Sequence, residues 1–274
     1  MPLIPIDSLG DPRVDDYRDL KDAELRRRLG LFVVEGRENL RRLVLRSPFR
    51  PRSVLLGEAA RRALAPELAK LAPETPIFEA PHALLETIAG YSVHHGCLAV
   101  VPRPPETGVA ELVATLPQGP SRVVVMEGLT NHDNVGGLFR NAMAFGVDAA
   151  VLCPRCCDPF YRKAIRTSMG GSLCVPFARA QVWPDALSAL RDRGYTITAL
   201  DPGGEQRLGD PSLALPERIA LLVGAEGCGL TDAARACADL RIRIEMRSGI
   251  DSINVATAAA IALHRLHVRA EPSS

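Results

Sequence analysis

The chain of 274 residues contains no run of eighteen apolar residues, so a transmembrane helix is excluded. Aromatic residues are scarce: one Trp, four Tyr and seven Phe leave no evident platform for stacking bases. Lysine is nearly missing, with only Lys21, Lys70 and Lys163. Arginine carries the positive charge instead, which reads either as genomic base composition or as a preference for bidentate phosphate contacts. The formal net charge is only +1. No long-range field therefore draws a polyanion to the whole molecule, and any nucleic-acid contact has to be a local basic patch. A GxGxxG turn and a Walker A loop are both missing, which argues against a Rossmann-type nucleotide enzyme. Seven cysteines make an odd number. Cys153-Pro-Arg-Cys156-Cys157 contains a CxxC, but no second ligand pair stands at zinc spacing. Free thiols are expected, and no metal. The first residues, MPLIPIDSLGDPRVDD, are acidic and lack an apolar stretch, so no secretory signal is expected and the expected compartment is cytoplasmic.

Hydrophobic residues make up 47% of the chain, enough for a sizeable core. Two α/β halves are expected. Pro and Gly punctuation from Pro102 to Pro120 marks a boundary between them. We divide the chain into a small first domain (1–104), a linker (105–119) with a helical turn or two around Val109–Leu116, and a second domain (120–270). In the first, Leu31–Val34, Ser53–Leu56 and Cys97–Val101 read as strands. Glu38–Leu45, Ala59–Leu71 and Pro81–Ala89 read as helices. In the second, Val123–Met126 is apolar without alternation, as a parallel strand buried on both faces requires. Helix Val135–Phe145, strand Ala149–Leu152, helix Pro159–Gly170, strands Thr196–Leu200, Ile219–Val223 and Leu240–Ile244, and an Ala-rich closing helix Ser252–His267 follow. Alternating β and α elements predict a parallel sheet covered on both sides.

Three segments of the second half each follow a strand, where open α/β sheets build their sites. The first runs from Glu127 to Arg140 and contains Asn134-Val-Gly-Gly-Leu-Phe-Arg140. Asn131 or Asp133 is a candidate helix cap. Arg140, between Phe139 and Ala142, is expected to be partly buried and to need an anionic partner: either Glu127 or Asp133 in a structural pair, or a phosphate. The second, Gly224-Ala-Glu-Gly-Cys-Gly-Leu230, exposes backbone amides after a strand, and Thr231-Asp232 opens a short helix. The third, Gly249-Ile-Asp-Ser-Ile-Asn-Val255, enters the closing helix. Ser252 and Asn254 there are N-cap types, and a helix N-terminus also offers amides to a ligand.

Together, in this order, the three segments resemble the SpoU (TrmH) family of RNA ribose methyltransferases of the SPOUT superfamily. The likeness spans about residues 121–267. Phe32-Val-Val-Glu-Gly36 and Gly96–Val101 are similar, more loosely, to an L30e-like substrate-binding domain often fused ahead of it. The resemblance implies a C-terminal trefoil knot, a homodimer, and S-adenosylmethionine as methyl donor. It implies that Leu200, Gly224, Ala225, Glu226, Gly227, Ile244, Ile253 and Asn254 bind that cofactor. It also implies catalytic places for Arg140, Asn134, Ser252 and Asn254. The sequence departs from the family pattern at His132, at Glu245, and at His264-Arg265.

The reaction so implied is displacement at a sulfonium methyl by a ribose 2′-oxygen, which needs no metal because the leaving group is a neutral thioether. A guanidinium stays protonated, so Arg140 is expected to stabilise charge rather than abstract a proton. Arg37, Arg41, Arg42 and Arg46 line one side of the predicted helix, opposite Leu40, Leu43 and Val44. They form either a solvated face or, with Arg166, an RNA phosphate contact. Ribosomal RNA is the expected substrate. The alternatives are tRNA and a non-catalytic RNA-binding relative.

Overall fold

Each apolar run becomes a strand, and the sheet order decides what each strand positions. The computed structural model describes residues 3–18, 20, 27, 29–93, 95–247, 249–250 and 252–267. Asp251 of the third segment, and residues 268–270 of the expected second domain, lie outside them. The chain divides into two units, 1–105 with 159–174, and 106–158 with 175–274.

The first unit holds strands β1 (Leu3–Pro5), β2 (Leu31–Glu35), β3 (Ser53–Leu56), β4 (Ile77–Glu79) and β5 (Cys97–Pro102), in the sheet order β1-β4-β3-β5-β2. β1, β4 and β3 are parallel, and β5 runs antiparallel to β3 and β2. The Arg37–Arg46 helix buries Leu40 and Leu43, as its spacing predicts. The expected helix Ala59–Leu71 is instead two short ones, Glu58–Ala63 and Ala65–Leu68. Pro66 cannot continue the first and opens the second. Residues 159–174 lie beyond the expected linker yet belong to this unit. Phe160 stacks on Phe32 with centroids 4.5 Å apart and meets Phe49 edge-on at 5.3 Å. Arg162 pairs with buried Glu35 at 3.3 Å and lies over the Tyr91 ring at 3.9 Å. The expected helix there shrinks to Arg162–Thr167.

The second unit is a seven-stranded sheet: β6 (Ser121–Met126), β7 (Ala149–Leu152), β8 (Phe177–Arg179), β9 (Thr196–Leu200), β10 (Gln206–Arg207), β11 (Arg218–Val223) and β12 (Leu240–Arg243). Their order is β10-β12-β9-β11-β6-β7-β8, and every pairing is parallel. Val124 and Met126 of β6 join one core, with Leu138 and Phe139; Val123 and Val125 join the other, with Leu187 and Leu190. Burial on both faces is why this strand shows no alternation. Residues 105–119 are more than a linker. The Val109–Ala114 helix buries Val109, Leu112 and Val113 in the second core, and Leu116 follows them.

On the first face the His132–Ala144 and Val255–Leu266 helices pack closely. A Cβ on Gly137 would stand 2.8 Å from the Ala256 Cβ, so only glycine allows this approach. Asn141 Nδ2 donates to Ala256 O at 2.7 Å beside it. The buried Arg122 donates from Nε to Leu266 O at 2.8 Å, closing the end of the last helix.

Candidate active site

Because the second sheet is parallel, the C-terminal ends of β6, β9, β11 and β12 open on one edge. The first segment leaves β6 at Glu127. That carboxylate is buried and fully engaged: Oε1 accepts from Trp183 Nε1 and Thr231 Oγ1, both at 2.7 Å, and Oε2 from Thr231 N at 2.9 Å. It braces the loops and is not Arg140's partner. Asn131 caps the helix through Oδ1, which accepts Asp133 N at 2.9 Å, so the helix starts at His132, three residues earlier than predicted.

Arg140 corrects the sequence expectation: it is exposed, not partly buried. Its helix buries Asn134, Val135, Leu138, Phe139 and Ala142 along one stripe, and residue 140 points the other way. Among the described residues none pairs with it.

The Gly224–Leu230 loop turns tightly. A Cβ on Gly224 would come within 2.5 Å of Leu230 N, so no other residue fits there. Ala225 and Gly229 form a bridge, with Gly229 N donating to Ala225 O at 2.9 Å. Gly227 (φ 81°) and Gly229 (φ 65°) take left-handed backbone that L-residues resist.

Asn254 joins the three segments. Its Oδ1 accepts from Ala256 N at 3.0 Å and Thr257 N at 3.2 Å, making it the cap of a helix that begins at Val255 rather than Ser252. Its Nδ2 donates to Asn134 Oδ1 at 2.9 Å and to Glu226 Oε1 at 2.7 Å. Both hydrogens and both lone pairs of this amide are thereby used. Asn134 is 6% exposed. With its oxygen occupied by Asn254, its NH₂ remains as a donor.

Beside this junction lies a cavity of about 350 Å³. Of the residues expected to hold cofactor, Leu200, Gly224, Ala225, Glu226, Gly227, Ile244 and Ile253 line it, and so does Ser252. Asn254 touches it through Glu226, whereas Asn134 and Arg140 stand outside the lining. Sequence reasoning missed Asp201, Pro202 and Arg235, which also line it. Asp201 follows a strand end as the other site residues do, the one signal that pointed to it. Its carboxylate takes Arg235 Nε at 2.7 Å and Gly203 N at 2.9 Å. Burial raises the Asp201 pKa, but the Gly203 amide and the two arginines, Arg235 and Arg241, outweigh it and hold the group below the usual carboxylate range. A second cavity of about 510 Å³ shares Ala225 and Cys228–Leu230 with the first and adds Glu127, Gly128, Thr130 and Arg155.

The arginines expected to meet RNA fall in the first unit. Arg41 is tied to Glu67 at 3.0 Å and to Glu38, and Arg42 donates to Met169 O. Arg37 is half-buried, and Arg46 and Arg166 are exposed. Among the described residues, no cluster of three or more His, Cys, Asp or Glu is placed to hold a metal. No helix of the described residues is long and apolar enough to cross a membrane.

Comparison with known proteins bears on these segments. The SpoU rRNA Methylase family model matches residues 121–264, more than half of the chain. An uncharacterized tRNA/rRNA methyltransferase of Mycobacterium tuberculosis is 42% identical over 260 residues, covering 93% of this chain and 88% of that protein. The 23S rRNA (guanosine(2553)-2′-O)-methyltransferase RlmP of Bacillus subtilis is 27% identical over 270 residues, covering 95% and 98%. Among solved structures, the AdoMet-bound rRNA methyltransferase of Sinorhizobium meliloti superposes with a TM-score of 0.81 at 22% identity, over 96% of this chain and 97% of that one. The SpoU methyltransferase AviRb of Streptomyces viridochromogenes, in complex with AdoMet, gives 0.77 at 23%, over 93% and 97%.

Proposed function

This chain belongs to the SpoU rRNA Methylase family and is an RNA methyltransferase; we propose that it transfers a methyl group from S-adenosylmethionine to a ribose 2′-hydroxyl, and that its substrate is ribosomal RNA. The observation that carries this is the Asn254 amide bridging Asn134 and Glu226, which ties three loops into one site at the mouth of the cavity. The cavity suits the cofactor. Its volume falls within the range of about 300–1,000 Å³ typical of small-molecule sites. Leu200, Val223, Ile244 and Ile253 give it apolar walls, and Gly224 brings bare backbone to its rim. When bound there, S-adenosylmethionine supplies a methyl group on a sulfonium whose leaving group is neutral.

The chain's own residues orient and stabilise. The Asn134 NH₂ is held facing away from Asn254 and donates to an oxygen of the target ribose. Arg140, always protonated, stabilises negative charge on the 2′-oxygen as the proton leaves. Ser252, on the cavity wall, helps close the site. The preference for ribosomal RNA and for the 2′-oxygen is supported by RlmP, whose name states both. We further read the second unit as carrying a trefoil knot and the first as L30e-like. Support for the knot is the tight passage at Gly204, where a Cβ would stand 2.7 Å from the Ile242 carbonyl carbon. A homodimer in the cytoplasm completes the reading, with exposed Ile250 and Ile261 as apolar surface for the second copy.

The test is methyl transfer from labelled S-adenosylmethionine to ribosomal RNA and to tRNA, followed by mapping of ribose methylation. Arg140→Ala is expected to lower the rate by about 10²–10³-fold, as loss of one transition-state donor does, with cofactor affinity unchanged. Equal rates for the two proteins would remove Arg140 from the mechanism. Label appearing in tRNA alone would redirect the substrate.

A further inference from the structure

Cys153 follows β7 and Cys156 closes the turn that begins there, in the second unit beside the Glu127–Asn131 loop. Cys156 N donates to Cys153 O at 3.2 Å, so Pro154 and Arg155 are the two central residues of a β-turn. Such a turn holds its end Cα atoms within about 7 Å, which overlaps the span of roughly 4.4–6.8 Å that a disulfide bridges. The two sulfurs face each other at 3.7 Å. Arg179 keeps them so: its guanidinium donates to the carbonyls of Cys153 (3.2 Å), Cys156 (2.7 Å) and Cys157 (3.2 Å). Both thiols are buried, 1% and 6% exposed, and the methyl-transfer site described above makes no use of either.

We infer that Cys153 and Cys156 form a redox modification site, a dithiol that a small two-electron oxidant of the peroxide class converts to a disulfide, and that this conversion alters the loop at Gly128. The first step is attack by the Cys153 sulfur on a peroxide oxygen. An S–O bond forms, the O–O bond breaks, and hydroxide leaves to take up a proton. The Cys156 sulfur then attacks the Cys153 sulfenic sulfur, the S–O bond breaks, and the thiol proton leaves with the oxygen as water. Two thiols and one peroxide give one disulfide and two waters. The roles follow from the surroundings. The Cys156 side chain against it and the Gly128, Arg155 and Cys156 amides aimed at the same sulfur hold the Cys153 thiol below its usual range despite burial. Cys156 Sγ donates to Met126 O at 3.2 Å, and its contact with Cys153 together with its burial pushes its pKa up. The thiolate, not the thiol, is the nucleophile, so Cys153 reacts first and Cys156 resolves.

Two contacts link the pair to the site. Gly128 N donates to Cys153 Sγ at 3.0 Å, and Gly128 and Arg155 both line the second cavity, next to the cofactor cleft. Closing the sulfurs from 3.7 Å to about 2.05 Å removes the thiolate from Gly128 and tightens the turn that carries Arg155. The effect on methyl transfer rests on the function proposed above; the chemistry of the pair does not.

The test treats the full chain with hydrogen peroxide, blocks the remaining thiols and maps the peptides by mass. The expected product is a Cys153–Cys156 bridge lighter by two hydrogens, reversed by dithiothreitol. Hydrogen exchange across residues 127–131 is expected to speed up on oxidation, and methyl transfer to fall several-fold, with neither change in Cys156→Ser. The inference is overturned if exposed Cys228 oxidises while the pair stays reduced, or if the bridge forms and exchange at Gly128 does not change. It is equally overturned if Cys156→Ser loses activity on oxidation as the parent does. A reduced chain without methyl transfer would instead count against the proposed function, since mapping and exchange read the pair independently.

Discussion

Asn254 shows how far a single side chain reaches: one amide caps a helix and holds a residue from each of two other loops. Its residue type and place at a helix start were legible in the sequence. The bridge was not, because nothing local shows which loops a parallel sheet will bring to one edge. Arg140 was misjudged for a simpler reason. Phe139 and Ala142 are its sequence neighbours, but neighbours in sequence do not share a helix face, and the buried stripe lies on the other side. Asp201 is the residue whose ionisation matters most for the site's wall. Its folded pKa lies below that of the unfolded chain, about 3.9, so its contribution is present above that pH and is lost as pH falls through the lowered value. Asp201→Asn is expected to destabilise at pH 7 and to flatten the acid limb of stability, read by denaturant unfolding across pH 3 to 7. A parallel shift of the whole curve would show that the charge is immaterial.

At the scale of elements, long periodic runs read well. Ser53–Leu56, Ala149–Leu152 and Thr196–Leu200 are strands with the predicted ends. The edge strands β1, β8 and β10, and β4 beside β1, have two or three residues each and carry no period to detect. The contact between the His132–Ala144 and Val255–Leu266 helices was foreshadowed only by the glycine pair. Gly137→Ala gains helix propensity of up to about 1 kcal/mol, yet drives a methyl into Ala256. Overpacking costs about 1–3 kcal/mol, so a net loss of about 1–2 kcal/mol is expected. Ala256→Gly in the same chain should restore most of it, in a double-mutant cycle of thermal unfolding. Additive effects of the two substitutions would mean that the helices do not meet at this point.

For the whole molecule, the alternation of strand and helix patterns indicated α/β architecture, and the net charge of +1 the absence of a global basic field. It did not indicate that residues 159–174 return to the first unit. That depends on Phe160 finding Phe32 and Phe49, a contact between segments more than a hundred residues apart. A chain cut at Pro105 would present Phe160 and the buried Ile165 to water. Residues 106–274 alone are therefore expected to bind a hydrophobic dye more strongly than the full chain and to self-associate, both read by fluorescence and light scattering. A monomeric, dye-silent fragment would show that the segment re-docks on its own unit. The chain thus passes between its two units three times. Neither unit is a cassette: one cut or one splice cannot move the catalytic half to a new partner, and any recombination that swaps the first unit has to carry a sixteen-residue piece of the second half with it.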